Sequence, residues 1–594
     1  MNLTEEQKNI VNLVLSDTSD GKIIAVNSIA GAGKTSTAKA VVDAYKPDSG
    51  LYTAFNKSIV EESKKKIKGI NVNTLHSFAY KYSINKNIQS LTYKSFTEKI
   101  DYSKKKMVID ILDKFYLSSY LTIDDYLNNS EEYNSDLIDK AIYILVKKYY
   151  SKMLECEIPA TYNFMLKYLH LLLYEDKTNI HFDLLILDEC QDTTAVALEI
   201  FKLIKATKKI ILGDTHQNIY GFMDTINAFD LIENTIPMTL SKSFRCSELI
   251  ANNVQKFCKH NFRSNFIYTG NPDVKNNDYE IETEVYLSRT NLGLISTMID
   301  FHNRDVNYRL TRPIDSIFEF IISLNEASLS QRVTARKFSY LELSPIRTQS
   351  ANPRPAVISI SSIFENDSKN MQKTYQKTYF EKILELFPND SEIKAGVKFL
   401  KALNELKIDL FEVKAMAEIM VDDNSPYTLS TAHTFKGLEA DLVVINQDLK
   451  ESYYSTGDTI DNLFYNYKTN FTAIVDREIS NAKKDKSISR YLNIKDYSDT
   501  DIEKLGKYYT FKLVKKIIDS KIPLIRRLET SLNDAYSYFN NNCENEYQEI
   551  IDYLNNFIDL DLVYDIFLNQ IKVFNGELNL YYVAISRAKH EIKF

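Results

Sequence analysis

The stretch Ser28-Ile29-Ala30-Gly31-Ala32-Gly33-Lys34-Thr35 (SIAGAGKT) decides the fold. The apolar run 23–26 precedes it and the helix-like segment STAKAVVDAY, which begins at Ser36, follows it, so the stretch predicts a turn between a buried strand and a helix. Glycines let backbone N–H groups turn toward a phosphate, Lys34 suits the β- and γ-phosphates, and Thr35 offers a hydroxyl to Mg²⁺. Ser28 stands where the usual pattern has its first glycine. The stretch therefore predicts a site for ATP or GTP, with a glycine-rich turn that binds nothing as the alternative.

Length and composition limit the classes of protein to consider. A chain of 594 residues is too long for one hydrophobic core and predicts three or four domains. The net charge is −7, so any nucleic-acid-binding surface must be a local groove. The five cysteines form no CxxC pair, which argues against a zinc or iron–sulfur site and against a disulfide framework. The polar first residues and the shortness of the longest apolar run, near 169–173, predict neither a signal peptide nor a membrane span.

Short apolar runs alternate with helical stretches in two groups. The first group of predicted strands comprises 22–27, 50–54, 70–74, 183–188 and 209–213, and the second comprises 237–240, 284–288, 428–431, 442–446 and the final EIKF. Continuous apolar runs such as 183–188 are typical of a parallel sheet covered on both faces. The fold class that this pattern predicts is α/β, with two parallel-sheet cores interrupted by largely helical insertions.

Two further strand ends carry groups suited to phosphate chemistry. The strand in DLLILDECQD (183–192) ends at Asp188, which is placed to hold Mg²⁺ through water, and at Glu189, which is placed to orient the attacking water. The strand in IILGDTHQNIYGF (210–222) is followed by Gln217, which is placed to sense a γ-phosphate. An acidic strand end without function is the alternative for the first of these. Because ligands bind at the carboxyl edge of a parallel sheet, we expect these groups to meet the phosphate loop there.

The motifs, in their order along the chain, resemble those of the UvrD/Rep-like superfamily 1 DNA helicases. DECQD resembles motif II and GDTHQNIYGF motif III, while LTEEQKNIV (3–11) resembles the Q motif. The other matches are YTAFNKSIVEES (52–63) to motif Ia, NTLHSFAYKY (73–82) to Ib, LSKSFRCSELI (240–250) to IV, LSTAHTFKGLEADLVVI (429–445) to V and ELNLYYVAISRAKHEI (577–592) to VI. The wording of FNKSIVEES, TLHSFAYKY and SFR is closest to the F-box DNA helicase branch. The Q motif starts at residue 3, so no F-box is expected before it.

The resemblance implies two RecA-like P-loop cores that sandwich ATP and Mg²⁺. The implied contacts to the phosphates and Mg²⁺ are residues 28–36, which include Lys34, together with Asp188, Glu189 and Gln217. Gln7 would contact the adenine, Phe244 would stack on it, and Glu439 would lie near the ribose. Arg245 would reach the γ-phosphate, and Arg587 would be the arginine finger. The implied contacts to DNA are Phe55, Asn56, Thr74, His76, Tyr220, Phe222, His433 and Lys436. Phe222 stands where the family often has a tryptophan. For the histidines, Thr74 and Lys436 the alternative is an ordinary polar loop residue, and for Arg587 it is a surface ion pair.

The same resemblance predicts the domain boundaries. The first core is expected at 1–94 and 179–235, a helical insertion at 95–178, the second core at 236–299, 426–447 and 576–594, a 2B-like insertion at 300–425, and a further helical insertion at 448–575. The last of these is longer than the family leads us to expect.

Three functions remain open from the sequence. The first is an ATP-dependent DNA helicase that moves 3′→5′ on single strands, with single-stranded DNA and single-strand/double-strand junctions as partners. The second is a translocase that displaces bound proteins and unwinds little, and the third is a non-catalytic nucleotide-binding scaffold. Protein partners and the pathway, whether replication, repair or recombination, are left open. The expected location is intracellular: the cytoplasm, at a nucleoid or a viral replication site, or the nucleus of a eukaryote.

Overall fold

The fold is described from a computed structural model of the chain. It describes residues 3–16, 21–54, 57–98, 100, 102–130, 139–221, 225–262, 267–274, 279–329, 332–334, 357–359, 380, 381, 384, 391–484, 497–520, 526–539 and 544–594. Its strands, in chain order, are β1 (Ile23–Ser28), β2 (Gly50–Ala54), β3 (Asn71–Thr74), β4 (His181–Asp188), β5 (Thr193–Thr194), β6 (Lys205–Gly213), β7 (Thr225–Ile226), β8 (Thr235–Leu240), β9 (Glu284–Ser288), β10 (Arg309–Leu310), β11 (Arg332–Thr334), β12 (Val357–Ser359), β13 (Tyr427–Thr431), β14 (Ala440–Ile445) and β15 (Ala588–Lys593).

The first core is a sheet of six described parallel strands in the order β3-β2-β4-β6-β1-β8. Its helices are Glu5–Leu15, Lys34–Tyr45, Lys57–Lys66, Leu75–Tyr80, Ala195–Leu203 and Ala228–Leu231. Apolar side chains cover both of its faces: Val26 and Ile186 lie in one buried cluster, and Leu185 and Ile211 lie in another. This double burial explains why the strands have continuous apolar runs.

The second core is a sheet of five described parallel strands in the order β10-β13-β9-β14-β15. The helices Glu248–Asn261, Asn291–Asn303, Ile314–Leu329, Ser391–Leu406 and Leu410–Ile419 accompany it. The cluster that contains Leu294 and Phe318 packs on one face of this sheet, through Leu429. The predicted α/β fold class with two parallel-sheet cores is thus confirmed.

Two strands differ from the predicted domain boundaries. The strand expected at 237–240 in the second core is β8, which pairs in parallel with β1 of the first core, from Ile23 opposite Thr235 to Ser28 opposite Leu240. The pattern of apolar residues cannot reveal this pairing, because it shows that a strand is buried but not which sheet edge it joins. Pro237 fits the edge position, since proline lacks the N–H that a central strand needs. Likewise β10, which lies inside the expected insertion 300–425, is the edge strand of the second sheet. It is too short for its sequence to show the alternation of apolar and polar residues that predicts a strand.

Helical insertions separate the strands of both cores. The helices Tyr102–Leu117, Ile123–Asn129, Lys140–Leu154 and Tyr162–Tyr174 lie between β3 and β4, with a buried cluster of their own around Phe115 and Val146. Between β14 and β15 lie the helices Gln447–Lys484, Asp499–Asp519, Arg526–Phe539, Glu544–Leu554 and Leu560–Ile585. This last helix runs across the boundary predicted at 575, so the insertion and motif VI share one continuous helix. Within the described ranges, the helices lack the length and apolar character that crossing a membrane requires.

Candidate active site between the two cores

The loop 28–35 has the backbone that a phosphate cradle requires. Gly31 and Gly33 have φ values of +75° and +78°, in the left-handed region that favours glycine, and the helix Lys34–Tyr45 begins directly after them. A Cβ on Gly31 would lie 2.7 Å from the Ser243 Oγ, so space also excludes a side chain. Ser28 is the last residue of β1 and donates its hydroxyl to the Gly213 carbonyl at 2.8 Å. Since this position continues a strand, it needs no glycine.

Lys34 lies among three carboxylates, of which Asp188 and Asp214 are buried and Glu189 is largely buried. Its Nζ is 3.1 Å from the Glu189 Oε1, and its side chain is largely buried. Burial lowers the pKa of Lys34, but attraction by Glu189, Asp188 and Asp214 outweighs this and raises the pKa above its ordinary value. The ammonium group of the loop is therefore the charge that balances this acidic cluster.

The pKa values of the two carboxylates at the end of β4, Asp188 and Glu189, are shifted in opposite directions. Burial, followed by repulsion from Glu189, raises the pKa of Asp188 to about 6. Burial also acts to raise the pKa of Glu189, but Lys34 and Lys436 outweigh it and lower that pKa to about 2. The Tyr52 hydroxyl and the Glu189 N–H (2.9 Å) both donate to the Asp188 carboxylate. Glu189 has a left-handed φ of +52°, a strained backbone for a residue other than glycine, of the kind that occurs at functional sites.

A chain of amide hydrogen bonds connects motif II with motif III. Gln191 donates to the Glu189 Oε2 at 2.6 Å and accepts from the Asp214 N–H at 3.0 Å. Gln217 in turn donates to the Asp214 Oδ2 at 2.8 Å. The sequence pointed to Gln217 but not to Asp214, whose carboxylate lies at the junction of the network. The predicted strand ends therefore do meet at one edge of the sheet.

Gln7 and Phe244 lie side by side at the start of the helix Lys34–Tyr45. A Cβ on Gly33 would contact the Gln7 Nε2 at 3.3 Å and the Phe244 ring at 3.4 Å. Gln7 is fixed by a hydrogen bond to the Thr37 Oγ1 at 3.1 Å, and the Phe244 N–H donates to the Gly31 carbonyl at 2.9 Å. The Phe244 ring is 40% exposed, so a flat apolar surface is available beside an amide. This combination fits a purine base, which needs both stacking and an edge contact.

The arginines of motifs IV and VI lie next to each other in the second core. Arg245 donates to the Glu439 Oε2 at 2.8 Å and to the Ser586 carbonyl at 3.3 Å. Arg587 is only 2% exposed, so the surface ion pair that was its alternative is excluded. It donates to the Val583 carbonyl at 3.0 Å, and burial, followed by repulsion from Arg245, lowers its pKa to about 10.

Lys34 and Arg587 both interact with Asp214, in the region between the cores that we call the cleft. The Tyr582 hydroxyl, on the helix that leads to Arg587, donates to the Asp214 Oδ2 at 2.9 Å. The Asp214 carboxylate attracts both: it acts to raise the pKa of the lysine from the side of the first core and that of the arginine from the side of the second. The two walls of the cleft thus come from residues more than five hundred positions apart in the chain. A cavity of about 640 Å³ is lined by Arg245, Arg309 and Glu439 of the second core and by Glu62 and Lys66 of the first.

The residues predicted to contact DNA fall into three groups. Thr74 caps the helix Leu75–Tyr80 by accepting from the Ser77 N–H at 3.1 Å, and the His76 Nε2 lies 3.2 Å from the Asn163 Oδ1 of the helical insertion. Phe55, Asn56 and Phe222 lie outside the described residues. The third group lies between the cores and comprises Tyr220, His433 and Lys436.

Lys436 connects the cores rather than facing open solvent. Its Nζ forms an ion pair with Asp192, donates to the Gln217 carbonyl at 2.5 Å and lies 4.9 Å from the centre of the Tyr220 ring. The Tyr220 hydroxyl donates to the His433 carbonyl at 3.4 Å. Burial lowers the pKa of His433 to about 4, so this imidazole is neutral at physiological pH. Contact of these residues with DNA stays a prediction.

The raised pKa of Asp188 gives a first testable prediction. Asp188→Asn is expected to raise the midpoint of thermal unfolding, by about 1–2 °C for about 1–2 kcal/mol, because it removes a charge that burial and Glu189 disfavour. A folded-state pKa of about 6 means that the folded protein binds more protons than the unfolded chain between about pH 4 and 6, so stability falls as pH rises through that window. The stability of the variant should fall less than that of the wild type over this pH range, as measured by thermal melts at a series of pH values.

Asp441→Asn is the matched control for this prediction. Burial acts to raise the pKa of Asp441, but hydrogen bonds from Thr283 and the charge of Lys589 outweigh it and lower that pKa. The ionised form is therefore the favoured one, and the control should melt at a lower temperature than the wild type. A lower melting temperature for Asp188→Asn at neutral pH would mean that burial and Glu189 do not disfavour the charged form of Asp188.

The chain is similar in sequence to known proteins. A family model described as an AAA domain matches residues 11–223. The chain is 26% identical over 488 residues to F-box DNA helicase 1 of Gallus gallus, covering 75% of this chain and 44% of the relative. It is 23% identical over 499 residues to F-box DNA helicase protein 1 of Schizosaccharomyces pombe, covering 76% and 53%. Over most of its length the chain is thus similar to two proteins that are named DNA helicases. It spans about half the length of these curated relatives.

A solved structure of the Pif1 helicase from Bacteroides, in complex with ADP-AlF3 and ssDNA, is similar to this chain at a TM-score of 0.23 and 16% identity. The match covers 50% of this chain and 57% of that one. So low a score carries no argument about the fold, whose two cores are defined by their own strand order and register.

Proposed function

We propose that the protein is an ATP-dependent DNA helicase or translocase of the UvrD/Rep-like type, moving 3′→5′ on single-stranded DNA. The observation that carries the proposal is the contact of the two cores at Asp214. This carboxylate attracts Lys34 of the phosphate loop and accepts a hydrogen bond at 2.9 Å from Tyr582, on the helix that leads to Arg587. The names of the two curated relatives, both DNA helicases, support it. Single-stranded DNA and its junctions with duplex are the proposed partners, and the proposed location is wherever that DNA is found: a nucleoid, a viral replication site or a nucleus.

The residues of the cleft fit ATP and Mg²⁺. The left-handed glycines open a cradle for phosphates, and the raised pKa of Asp188 marks a buried carboxylate that lacks a full complement of positive charge. Mg²⁺ is usually held by one or two carboxylates together with phosphate oxygens. Asp188 and Thr35 would hold the ion, which when bound neutralises charge on the β- and γ-phosphates.

Each of the other residues has a chemical task in hydrolysis. Glu189 stays ionised at neutral pH because its pKa is lowered to about 2, so its carboxylate accepts hydrogen bonds and orients water. Arg245 and Arg587 add positive charge from the opposite wall, where charge develops on the transferred group. Gln217, through Asp214, lies at the boundary between the two walls. Hydrolysis thus requires the second core to be in place, and this requirement links turnover to the movement of the cores along a strand.

The test measures ATP turnover with and without single-stranded DNA, and the unwinding of duplexes that carry either a 3′ or a 5′ tail. The proposal predicts turnover stimulated by DNA and unwinding of the 3′-tailed duplex alone. Displacement of a protein bound to the 3′ tail, without unwinding, would favour the translocase. Nucleotide binding without any turnover would leave the non-catalytic scaffold and contradict the proposal.

A further inference from the structure

Tyr268 and Tyr582 hold one peptide unit of the phosphate loop. The Ala30 N–H donates to the Tyr582 Oη at 3.2 Å, and the Tyr268 hydroxyl donates to the Ala30 carbonyl at 3.1 Å. Both rings are buried and meet edge to face, with centroids 6.4 Å apart and an interplanar angle of 81°. Both backbone groups of Ala30 are therefore bound by tyrosine side chains from distant segments of the chain, and Tyr582 belongs to the second core.

Tyr582 has a second partner in the first core. Its hydroxyl donates to the Asp214 Oδ2 at 2.9 Å, the same oxygen to which Gln217 donates at 2.8 Å. A tyrosine hydroxyl has a single hydrogen, so the direction of each bond follows: it accepts from Ala30 and donates to Asp214. One oxygen atom of the second core thus connects the phosphate loop with the side chain predicted to sense the γ-phosphate.

The same tyrosine lies near the end of the helix that leads to Arg587. That helix, Leu560–Ile585, also bonds to the first core through Asn579, whose Nδ2 donates to the Asn218 carbonyl at 2.9 Å. Arg587 donates to the carbonyl of Val583, the residue after Tyr582, so its guanidinium is fixed relative to the turn that carries the tyrosine. A contact that fixes the position of Tyr582 therefore also fixes the position of Arg587.

We propose that Tyr582 is a positioning residue that sets Arg587 against the phosphate loop, acting through Ala30 and Asp214. The inference rests on the proposed function, because it assigns a task within ATP hydrolysis. When the Ala30 peptide or Gln217 shifts, the Tyr582 hydroxyl transmits that shift to the helix end and hence to the arginine. The tyrosine itself touches neither the reacting phosphate nor water in this scheme.

Tyr582→Phe tests the inference by removing one oxygen atom and keeping the ring. It is expected to lower kcat for DNA-stimulated ATP turnover by about tenfold or more, because a hydrogen bond to a charged group is lost from the aligned state. KM for ATP should stay close to that of the wild type, since no group that binds ATP in this scheme is removed. Tyr581→Phe is the matched control: this neighbouring ring stacks on Tyr453 at 4.3 Å, and its variant should keep the wild-type kcat.

Asp214→Asn provides a second, independent measurement in case Tyr582→Phe does not fold. If the tyrosine acts through this carboxylate, Asp214→Asn lowers kcat as well, and the double variant loses no more than the more impaired single variant. A wild-type kcat in either single variant, fully additive losses in the double, or a matching loss in Tyr581→Phe would overturn the inference. Absence of turnover in the wild type is a different result, because it would refute the proposed function itself.

Discussion

Arg587→Ala is expected to lower the rate of ATP turnover by about 10³–10⁵-fold, the range found where an arginine stabilises a phosphoryl-transfer transition state. The guanidinium reaches the cleft from the second core, and its hydrogen bonds go to the Val583 carbonyl and the Ser586 hydroxyl, both neutral. Its positive charge is therefore available to a phosphate. Nucleotide binding should persist, because the loop 28–35 and Gln7 belong to the first core.

The stability of the Arg587→Ala protein separates this role from a structural one. Burial and the nearby charge of Arg245 both disfavour the charged guanidinium, as its lowered pKa of about 10 indicates. Removing the charge should therefore cost less stability than removing a well-paired buried arginine. Steady-state turnover, titration with a fluorescent ADP and thermal melts measure the three quantities.

Arg304→Ala is the control for Arg587→Ala. Arg304 is exposed and pairs with Asp300 one helical turn away, at 3.2 Å, an interaction worth little. This variant should match the wild type in turnover and in nucleotide binding. Near-normal turnover in Arg587→Ala would contradict the arginine-finger assignment, and a common loss of nucleotide binding and thermal stability would point to a structural role.

The acidic strand ends show how far the sequence can predict such a site. Asp188 and Glu189 follow a continuous apolar run, and the rule that ligands bind at the carboxyl edge of a parallel sheet placed them beside Lys34. Both predictions use local features of the sequence: a run of apolar residues and a loop with fixed spacing of glycine and lysine. Such features are visible before the fold is known, so the strands and the phosphate loop could be predicted.

Contacts between distant segments could not be predicted in this way. Tyr582 and Ala30 are joined by one hydrogen bond. Tyr582 belongs to the stretch that resembles motif VI, but its partner in the phosphate loop is visible only when the cores are assembled. The place of β8 in the first sheet could not be predicted for the same reason, because strand pairing depends on which edge of which sheet is free. Lys436 was predicted to contact DNA from its motif alone, and its ion pair with Asp192 becomes visible only when both cores are present.

Lys34→Ala is expected to abolish ATP turnover and also to destabilise the protein. The lysine is the closest positive charge to Glu189, and Asp188 and Asp214 also interact with it. Removing one partner of a buried charge pair costs about 3–5 kcal/mol, because the remaining charge is left uncompensated. The loss of turnover follows from the missing charge at the β- and γ-phosphates, and the loss of stability does not depend on nucleotide.

The pH dependence of this destabilisation identifies its cause. Without Lys34, the pKa of Glu189 should rise, since the main charge that lowers it is gone. A carboxyl group with a raised folded-state pKa binds more protons when folded, so stability falls as pH rises. The melting temperature of Lys34→Ala should therefore lie far below that of the wild type at about pH 8 and approach it toward about pH 5.

Lys39→Ala provides the comparison on the same helix. Lys39 is exposed and pairs with Asp43 at the surface, so its removal should change melting temperature little at any pH. Lys34→Arg restores the positive charge in a different shape and should recover much of the stability without the turnover, because guanidinium geometry differs from that of a compact ammonium. A Lys34→Ala protein as stable as the wild type across this pH range would mean that the lysine does not balance the acidic cluster, and the charge arrangement on which the proposed ATP site depends would be wrong.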